Sequence, residues 1–549
     1  IAALLQGAEA LRITAKAAAL ASEAGSPVIL SAANPWAPFG GMDEIAEDRF
    51  GASELLVEAF GGETESAALN IFNCSGVPRT LRIDLDDLAM DDATVPAREV
   101  IRLHEVIDVP TEMRDYSADA LPELNPARLI QVPAWGARQL WLNVDTADLR
   151  AGDWTGRIRL RSLEVEPLDV SANLKLTVWA ARLPEEQPLR LCHWGYVHNS
   201  MLKDYPEEAL ADQVRHGTNV FVGLFYPRAQ YDEQGNLIGE IDFSAHDNYV
   251  KKHAPHGMIL FFNYQTALKG PGGIESKAYA KAHVQWLRAW VAHLRELGVG
   301  YDGFALYPVD EPGLSDGLSD RHVLMGKLAR EADPNILLYT DPVGRVTEEE
   351  LRAMLPYVDI WCPNRNGLIL DKTNASKLEI IRNSGATVWI YECDHNAKHQ
   401  SPLGYYRAQA WLAWHLDMTG IGFWSYCTSR DDPWFVPSLR HDYLLVYPGD
   451  GVVSSKRWEA IRDGVEDYTL LATLRQRMEN PPPGMKPGDI ETAKRVLTEY
   501  AEAVAQFCGL DDDDTVPGPG GLPEVRRVSD RRWETIQAVR REIARLMAP

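Results

Sequence analysis

Between residues 189 and 427, eight apolar strand-like runs alternate with helical stretches, and few folds accept that order. The runs are "LRLCHWGY" (189–196), "TNVFVGLF" (218–225), "GMILFFNY" (257–264) and "GFALYPVDEP" (303–312). They continue with "ILLYTD" (336–341), "VDIWCPN" (358–364), "TVWIYECD" (387–394) and "GIGFWSYC" (420–427). Segments such as "ESKAYAKAHVQWLRAWVAHLRELG" repeat apolar residues at three- and four-residue spacing, the signature of amphipathic helices between them. Buried strands separated by helices over a stretch of this length predict an α/β fold, a (β/α)8 TIM barrel. A doubly wound open sheet would carry a Gly-rich phosphate loop after its first strand. "HWGYVHNS" stands there instead, so the barrel is preferred.

The flanks read differently. From 52 to 180, short runs alternate with period two around Gly and Asp turns, as in "SELLVEAFGGETESAALNIFNCSG", which gives two strands about Gly61 and Gly62. An N-terminal antiparallel β-sandwich is expected there, with a structural role. A Pro-containing hinge, "ARLPEEQPLRL", closes it. Residues 454–478, "DIETAKRVLTEYAEAVAQF" and "RRWETIQAVRREIARLM" read as helices, and "DDDDTVPGPGG" between the last two as an exposed loop. The expected division is a helical or irregular segment over 1–50, the sandwich over 51–185, the barrel over 186–478 and a C-terminal helical extension over 479–549.

Composition narrows the partners. A net charge of -24, from 55 basic and 79 acidic residues, argues against nucleic acid. No run of 18 apolar residues occurs, so no membrane span is expected. The chain reads as soluble, cytoplasmic or else periplasmic or secreted after loss of a leader, and its oligomeric state is left open. Six scattered cysteines without a CxxC pair form no disulfide framework. Cys362, Cys393 and Cys427 lie on three successive strands, but small buried hydrophobes are a simpler account of them than a metal cluster. No HExxH or HxH pair appears, and neither metal nor cofactor is expected.

In such a barrel the active site lies at the C-terminal strand ends. Those ends supply His193, Trp194 and Tyr196, then Asn263 and Tyr264, then Tyr307 with Asp310 and Glu311. Asp341, Trp361, Asn364, Tyr391, Glu392, Asp394, Trp424 and Tyr426 follow, with Trp434 and Arg457 further on. Aromatic rings stack on sugar faces while amides and acids bind hydroxyls, so the set suits an oligosaccharide or glycoconjugate. The adjacent acids Asp310 and Glu311 are the candidate catalytic pair. Neighbouring strand residues point to opposite faces, so both can serve one ligand only if the backbone turns between Val309 and Pro312. Arg457, Glu459, Arg462 and Asp467 fall at helical spacing and read as a buried structural network from which Arg457 reaches the rim.

The sequence resembles glycoside hydrolase family 123, the β-N-acetylgalactosaminidases, and the related domain of unknown function 4091. "LLVEAFGGETESAALNIFN", "LYPVDEP", "GFWSYC" and, most specifically, "YPGDGVVSSKRWEAIRDGVEDYTLL" carry the resemblance. It implies a retaining hydrolase whose nucleophile is the substrate's own 2-acetamido group. On that pattern Asp310 orients the acetamido nitrogen, and Glu311 protonates the leaving oxygen and later deprotonates water. This is an exception to the usual two-carboxylate scheme. Two readings stay open beside it. Glu311 and Glu392 also match the acid/base and nucleophile positions of double-displacement glycosidases acting on sugars without an acetamido group. A glycan-binding protein without turnover has the same rim.

Overall fold

The structure is a computed structural model, and it describes residues 2–46, 51–112, 115–164, 167–268, 272–393, 397–428, 432–435, 443–509, 515–517 and 523–548. The chain is a mixed α/β protein that divides into two compact units. One comprises 1–187, 396–412 and 432–549; the other comprises 188–395 and 413–431.

The second unit is built on one parallel sheet, nearly closed and barrel-like. Its strands are Arg190–Gly195, Val220–Gly223, Met258–Phe262, Phe304–Tyr307, Leu337–Thr340, Ile360–Trp361, Thr387–Val388, Ile390–Glu392 and Gly420–Cys427. They follow one another around the sheet in chain order, and Arg190–Gly195 also pairs with Gly420–Cys427. The two strands at the ends of this order are halves of one run, 387–392, interrupted only at Trp389. Its first half pairs with Ile360–Trp361 and its second half with Gly420–Cys427. The last strand approaches Trp389 so closely that a Cβ on Gly420 would meet its ring at 2.4 Å, which accounts for glycine in "GIGFW".

Alternation along the strands separates two cores. Ile259, Phe261, Phe304, Leu306 and Leu338 pack against Trp286, Trp290 and Leu294 of the helix Lys277–Glu296 and Met325 and Leu328 of the helix Leu318–Ala332. The opposite faces gather Cys192, Trp194, Val222, Leu260, Ala305, Tyr307, Tyr339, Ile360, Cys362, Trp389 and Tyr391 into one cluster drawn from strands all around the sheet. The helices are capped as their sequences suggest: Ser276 accepts from Tyr279 N, and Thr347 forms a capping box with Glu350.

The first unit holds two sheets that share one apolar core. Glu54–Gly61 and Thr64–Asn73 flank the Gly61–Gly62 turn, but they enter different sheets, so the turn passes the chain from one to the other. The pairing is not wholly antiparallel, because Glu54–Gly61 runs parallel to Asp169–Arg182. Residues 1–50, expected to be helical or irregular, hold the helix Ala2–Ala24 and also the strand Val28–Ala33, which pairs with Thr64–Asn73. The helix Lys456–Glu479 is almost wholly buried and carries its charges inward. Arg407 donates to Asp463 at 2.8 Å and to Asp467 at 2.7 Å, and Arg540 bridges Asp467 at 2.5 Å and Glu63 at 2.6 Å. The expected acidic loop near 511–521 lies mostly outside the described residues, though Thr515–Pro517 pairs with Pro523–Arg527. Among the described residues no helix is long and apolar enough to cross a membrane.

Candidate active site

Strand Phe304–Tyr307 ends before the two acids, and residues 308–313 turn. Glu311 has φ +45°, a left-handed conformation that costs a side-chain-bearing residue roughly 1–2 kcal/mol. Gly313 follows at φ +96°, where a Cβ would lie 2.4 Å from Val346 N. This bend undoes strand alternation and lets each of the neighbouring carboxylates meet a tyrosine hydroxyl, Asp310 that of Tyr307 and Glu311 that of Tyr391. Strained backbone of this kind is retained where the surroundings over-determine it, most often at functional sites.

Those partners come from adjacent strand ends. The fully buried Tyr307 hydroxyl lies 2.9 Å from Asp310 Oδ1 and also bonds Asp341 Oδ2. Asp341 Oδ1 accepts from the Glu311 backbone N–H at 3.0 Å, and the Tyr391 hydroxyl donates to Glu311 Oε1 at 2.5 Å. Trp194 packs on Tyr391, Trp424 bonds Tyr196, and Asn263, itself left-handed at φ +51°, donates its backbone N–H to Tyr307 O.

The electrostatics follow from burial without cations. Loss of hydration raises Glu311 above the ordinary carboxylate range; Tyr391 opposes this, and Asp310 and Glu392 add to it. Asp310 is raised by desolvation of its carboxyl, with the Tyr307 bond acting the other way. Asp341 is pushed far higher by burial and by the neighbouring Asp310 and Glu311.

Glu392 is tied differently. Its Oε2 accepts from Asn366 N at 2.8 Å and faces Arg365 Nε at 3.5 Å, and its Oε1 takes Cys393 N at 2.8 Å and Asn364 Nδ2 at 3.3 Å. Asn364 in turn accepts from Gly367 N, so both residues are committed to shaping the 364–367 turn. Arg365, completely buried, was not singled out from the sequence; the polar "PNRN" after the strand is the only signal it left.

Four other candidates lie away from these acids. Trp361 is buried among Val346, Leu351, Met354 and Leu368, on the helix-facing side of its strand. Tyr264 packs against His283, Trp286 and Trp290 in the outer core. His193 bonds Thr218 and packs on Tyr426, whose hydroxyl donates to Asp212 at 2.8 Å. His193 lines a separate cavity of about 330 Å³ with His198, Phe225, Tyr249 and His253. Asp394 lies outside the described residues.

In the other unit, Arg457 is buried in a bidentate pair with Asp119, with N–O contacts of 2.9 to 3.2 Å, and Tyr447 also donates to Asp119. Trp434 stacks near Tyr447 and donates to Pro448 O. Among the described residues, the group able to surround an ion is His246, Asp247 and His293, and it includes no cysteine. Trp290 Nε1 donates to His246 Nε2 at 2.7 Å, which puts the His246 proton on Nδ1, the atom facing Asp247. That tautomer does not suit a metal ligand. All six cysteines are unbridged, and five of them are buried.

Residues 273–474 match the model of the glycoside hydrolase 123 catalytic domain. Among solved structures, a family 123 glycoside hydrolase from Clostridium perfringens, studied for glycolipid glycan hydrolysis, is similar at 12% identity. It superposes with a TM-score of 0.69 over 95% of this chain and 98% of that one, a likeness of fold. A family 2 β-galacturonidase from Eisenbergiella tayi, 9% identical, covers 73% of this chain and 69% of its own with a TM-score of 0.32, too low to carry an argument. No curated protein matched in sequence.

Proposed function

We propose that this glycoside hydrolase, whose residues 273–474 match the family 123 catalytic-domain model, cleaves β-linked 2-acetamido sugars with retention, most specifically N-acetylgalactosaminides. The observation that carries this reading is the bent Asp310–Glu311 pair, two acids under separate tyrosine hydroxyls with no arginine bonded to either among the described residues. Glu311, which burial makes hold its proton more tightly than an ordinary carboxyl, gives that proton to the glycosidic oxygen as the C1–O bond breaks. Tyr391 occupies Oε1, which leaves Oε2 for that proton. The substrate's acetamido oxygen forms the new bond to C1, and Asp310 holds the acetamido N–H and balances the positive oxazolinium. Water then attacks C1, Glu311 takes back a proton, and the ring reopens. Trp194, Tyr196, Trp424 and Asn263 are the proposed sugar contacts.

The bonding of Glu392 supports this route over double displacement. Both of its oxygens are engaged by Arg365, Asn364 and backbone amides, a poor disposition for a nucleophile. The finer architecture is likewise a proposal: counting 387–392 as one strand makes the sheet a (β/α)8 barrel over 186–478. The two N-terminal sheets then form a sandwich over 51–185, to which the 1–50 segment adds the edge strand Val28–Ala33, with a helical extension over 479–549. Glycolipid glycans are the first natural substrates to try, by analogy with the clostridial enzyme.

The deciding experiment compares aryl β-glycosides of GalNAc, GlcNAc, galactose and glucose, with a thiazoline mimic of the cyclic intermediate and a 2-fluoro glycoside. Turnover limited to the acetamido sugars and inhibition by the thiazoline are expected. A 2-fluoro sugar covalently bound to Glu392 would overturn the reading.

A further inference from the structure

The Tyr307 hydroxyl stands between two carboxyl groups, 2.9 Å from Asp310 Oδ1 and in closer contact with Asp341 Oδ2. A phenol owns one proton and can donate to only one of them. The other contact sets lone pair against lone pair unless that carboxyl supplies a proton of its own. Two ionised carboxylates around one buried hydroxyl would leave an anion desolvated and unpaired, a costly arrangement. The contacts therefore call for one further proton, and its location can be argued.

We infer that Asp341 is a carboxylic acid in the resting protein, donating through Oδ2 to Tyr307, which in turn donates to an ionised Asp310. The burial of the two acids is unequal: Asp341 is 1% exposed, whereas Asp310, although its carboxyl is partly desolvated, is an exposed residue and keeps more access to water. Charge is favoured where water reaches it. The second oxygen, Asp341 Oδ1, accepts the Glu311 backbone N–H, a contact that the carbonyl oxygen of an acid can also make. The titratable groups facing Asp341 are Tyr307, Asp310, Glu311, Tyr196, Tyr339, Tyr391, Cys192 and Cys362. None carries positive charge; the Tyr307 hydroxyl and the Glu311 backbone N–H favour the anion by hydrogen bonding, but they work against the larger effect of complete burial. Burial and the two neighbouring acids raise it in the same direction.

Asp341 is thus a positioning residue. Its proton turns Tyr307 so that the phenol points at Asp310, and its carbonyl oxygen helps hold Glu311 in the left-handed bend. The catalytic consequence rests on the roles proposed above for Asp310 and Glu311; the proton itself does not.

The test exploits an isostere. In Asp341→Asn the amide oxygen can accept from Glu311 N and the amide N–H can donate to Tyr307, reproducing the protonated acid atom for atom. Asp341→Asn is expected to keep most of kcat and Asp341→Ala to lose about 100-fold, as when a preorganised electrostatic partner is removed. Infrared difference spectra at neutral pH, wild type minus Asp341→Asn, should show the carbonyl stretch of a protonated carboxylic acid, shifting in deuterated water. Tyr307→Phe, which leaves Asp341 in place, should keep that band but move it to the frequency of a less strongly bonded acid. Asp341→Asn as inactive as Asp341→Ala while both remain folded, or no acid band in wild type or Tyr307→Phe, would overturn the inference. If no acetamido sugar is hydrolysed at all, the proposed function fails while the spectra still decide the protonation of Asp341.

Discussion

In one unit of the chain, buried acids meet arginines: Asp463 and Asp467 lie against Arg407, Arg462 and Arg540, and Glu63 against Arg540. In the other, Asp310, Glu311 and Asp341 meet one another and two tyrosine hydroxyls, with no arginine or lysine bonded to them among the described residues. The same residue type is driven opposite ways. Asp467 is desolvated, yet Arg407 and Arg540 hold it below the ordinary carboxylate range, while Asp341 rises. Glu392, beside Arg365, belongs with the paired class although it sits at a strand end of the unpaired unit. Pairing does not always outweigh burial, since Asp463 and Glu63 are raised by desolvation despite their arginines. Location at a strand end does not decide which way an acid is driven; the balance between its burial and its partners does.

The contrast can be broken most strongly at Arg407. Arg407→Met removes the partner that two buried acids share, leaving Asp463 to Arg462 and Asp467 to Arg540, and should cost about 3 kcal/mol, read as a fall in denaturation midpoint. An unchanged midpoint would show that the network is not a paired-charge unit. Glu311→Gln comes next: its acid role predicts a loss on the order of 1,000-fold for poor leaving groups but much less for activated aryl glycosides. Equal loss on both substrates would remove that role. Asp310→Asn should cut turnover of acetamido substrates by roughly 100-fold and leave thermal stability unchanged or raised, since it removes an uncompensated charge.

The smallest effect is a difference in pH slope. Asp341, raised in the folded state, contributes stability that is complete at low pH and is lost as pH rises through its folded pKa. Asp467, lowered, contributes stability above the ordinary carboxylate range that is lost as pH falls. Melting curves across pH should therefore lose their alkaline decline in Asp341→Asn and part of their acid decline in Asp467→Asn. The reverse pattern would mean the protons are assigned to the wrong acids.

Much of the sheet was legible because eight apolar runs separated by amphipathic helices leave few alternatives. The acids, Tyr307 and Tyr391 were legible because strand ends are where such folds do chemistry. The misreadings share a cause. His193 sits between the inward-facing Cys192 and Trp194, and Trp361 between the inward-facing Ile360 and Cys362, so both point outward. Period-two alternation, applied to the end residues as well as to the run, separates them. Tyr264 is different: Asn263 turns left-handed just before it, and no alternation survives such a turn. The ion pairs of Arg407 and Arg540 join positions up to 477 residues apart, a separation that helical spacing does not report.

The shared strand 387–392 has a further consequence. A flat sheet exposes unpaired amides and carbonyls along both margins, an invitation to any extended chain nearby. Here the residues that would form one margin also form the other, Thr387 and Val388 on one side and Ile390 to Glu392 on the opposite side, with Trp389 as the crossing point. The sheet therefore presents almost no margin to a foreign strand while that clasp is shut. Loosening Trp389 would do more than open a small void in the core: it would free two strand edges at once.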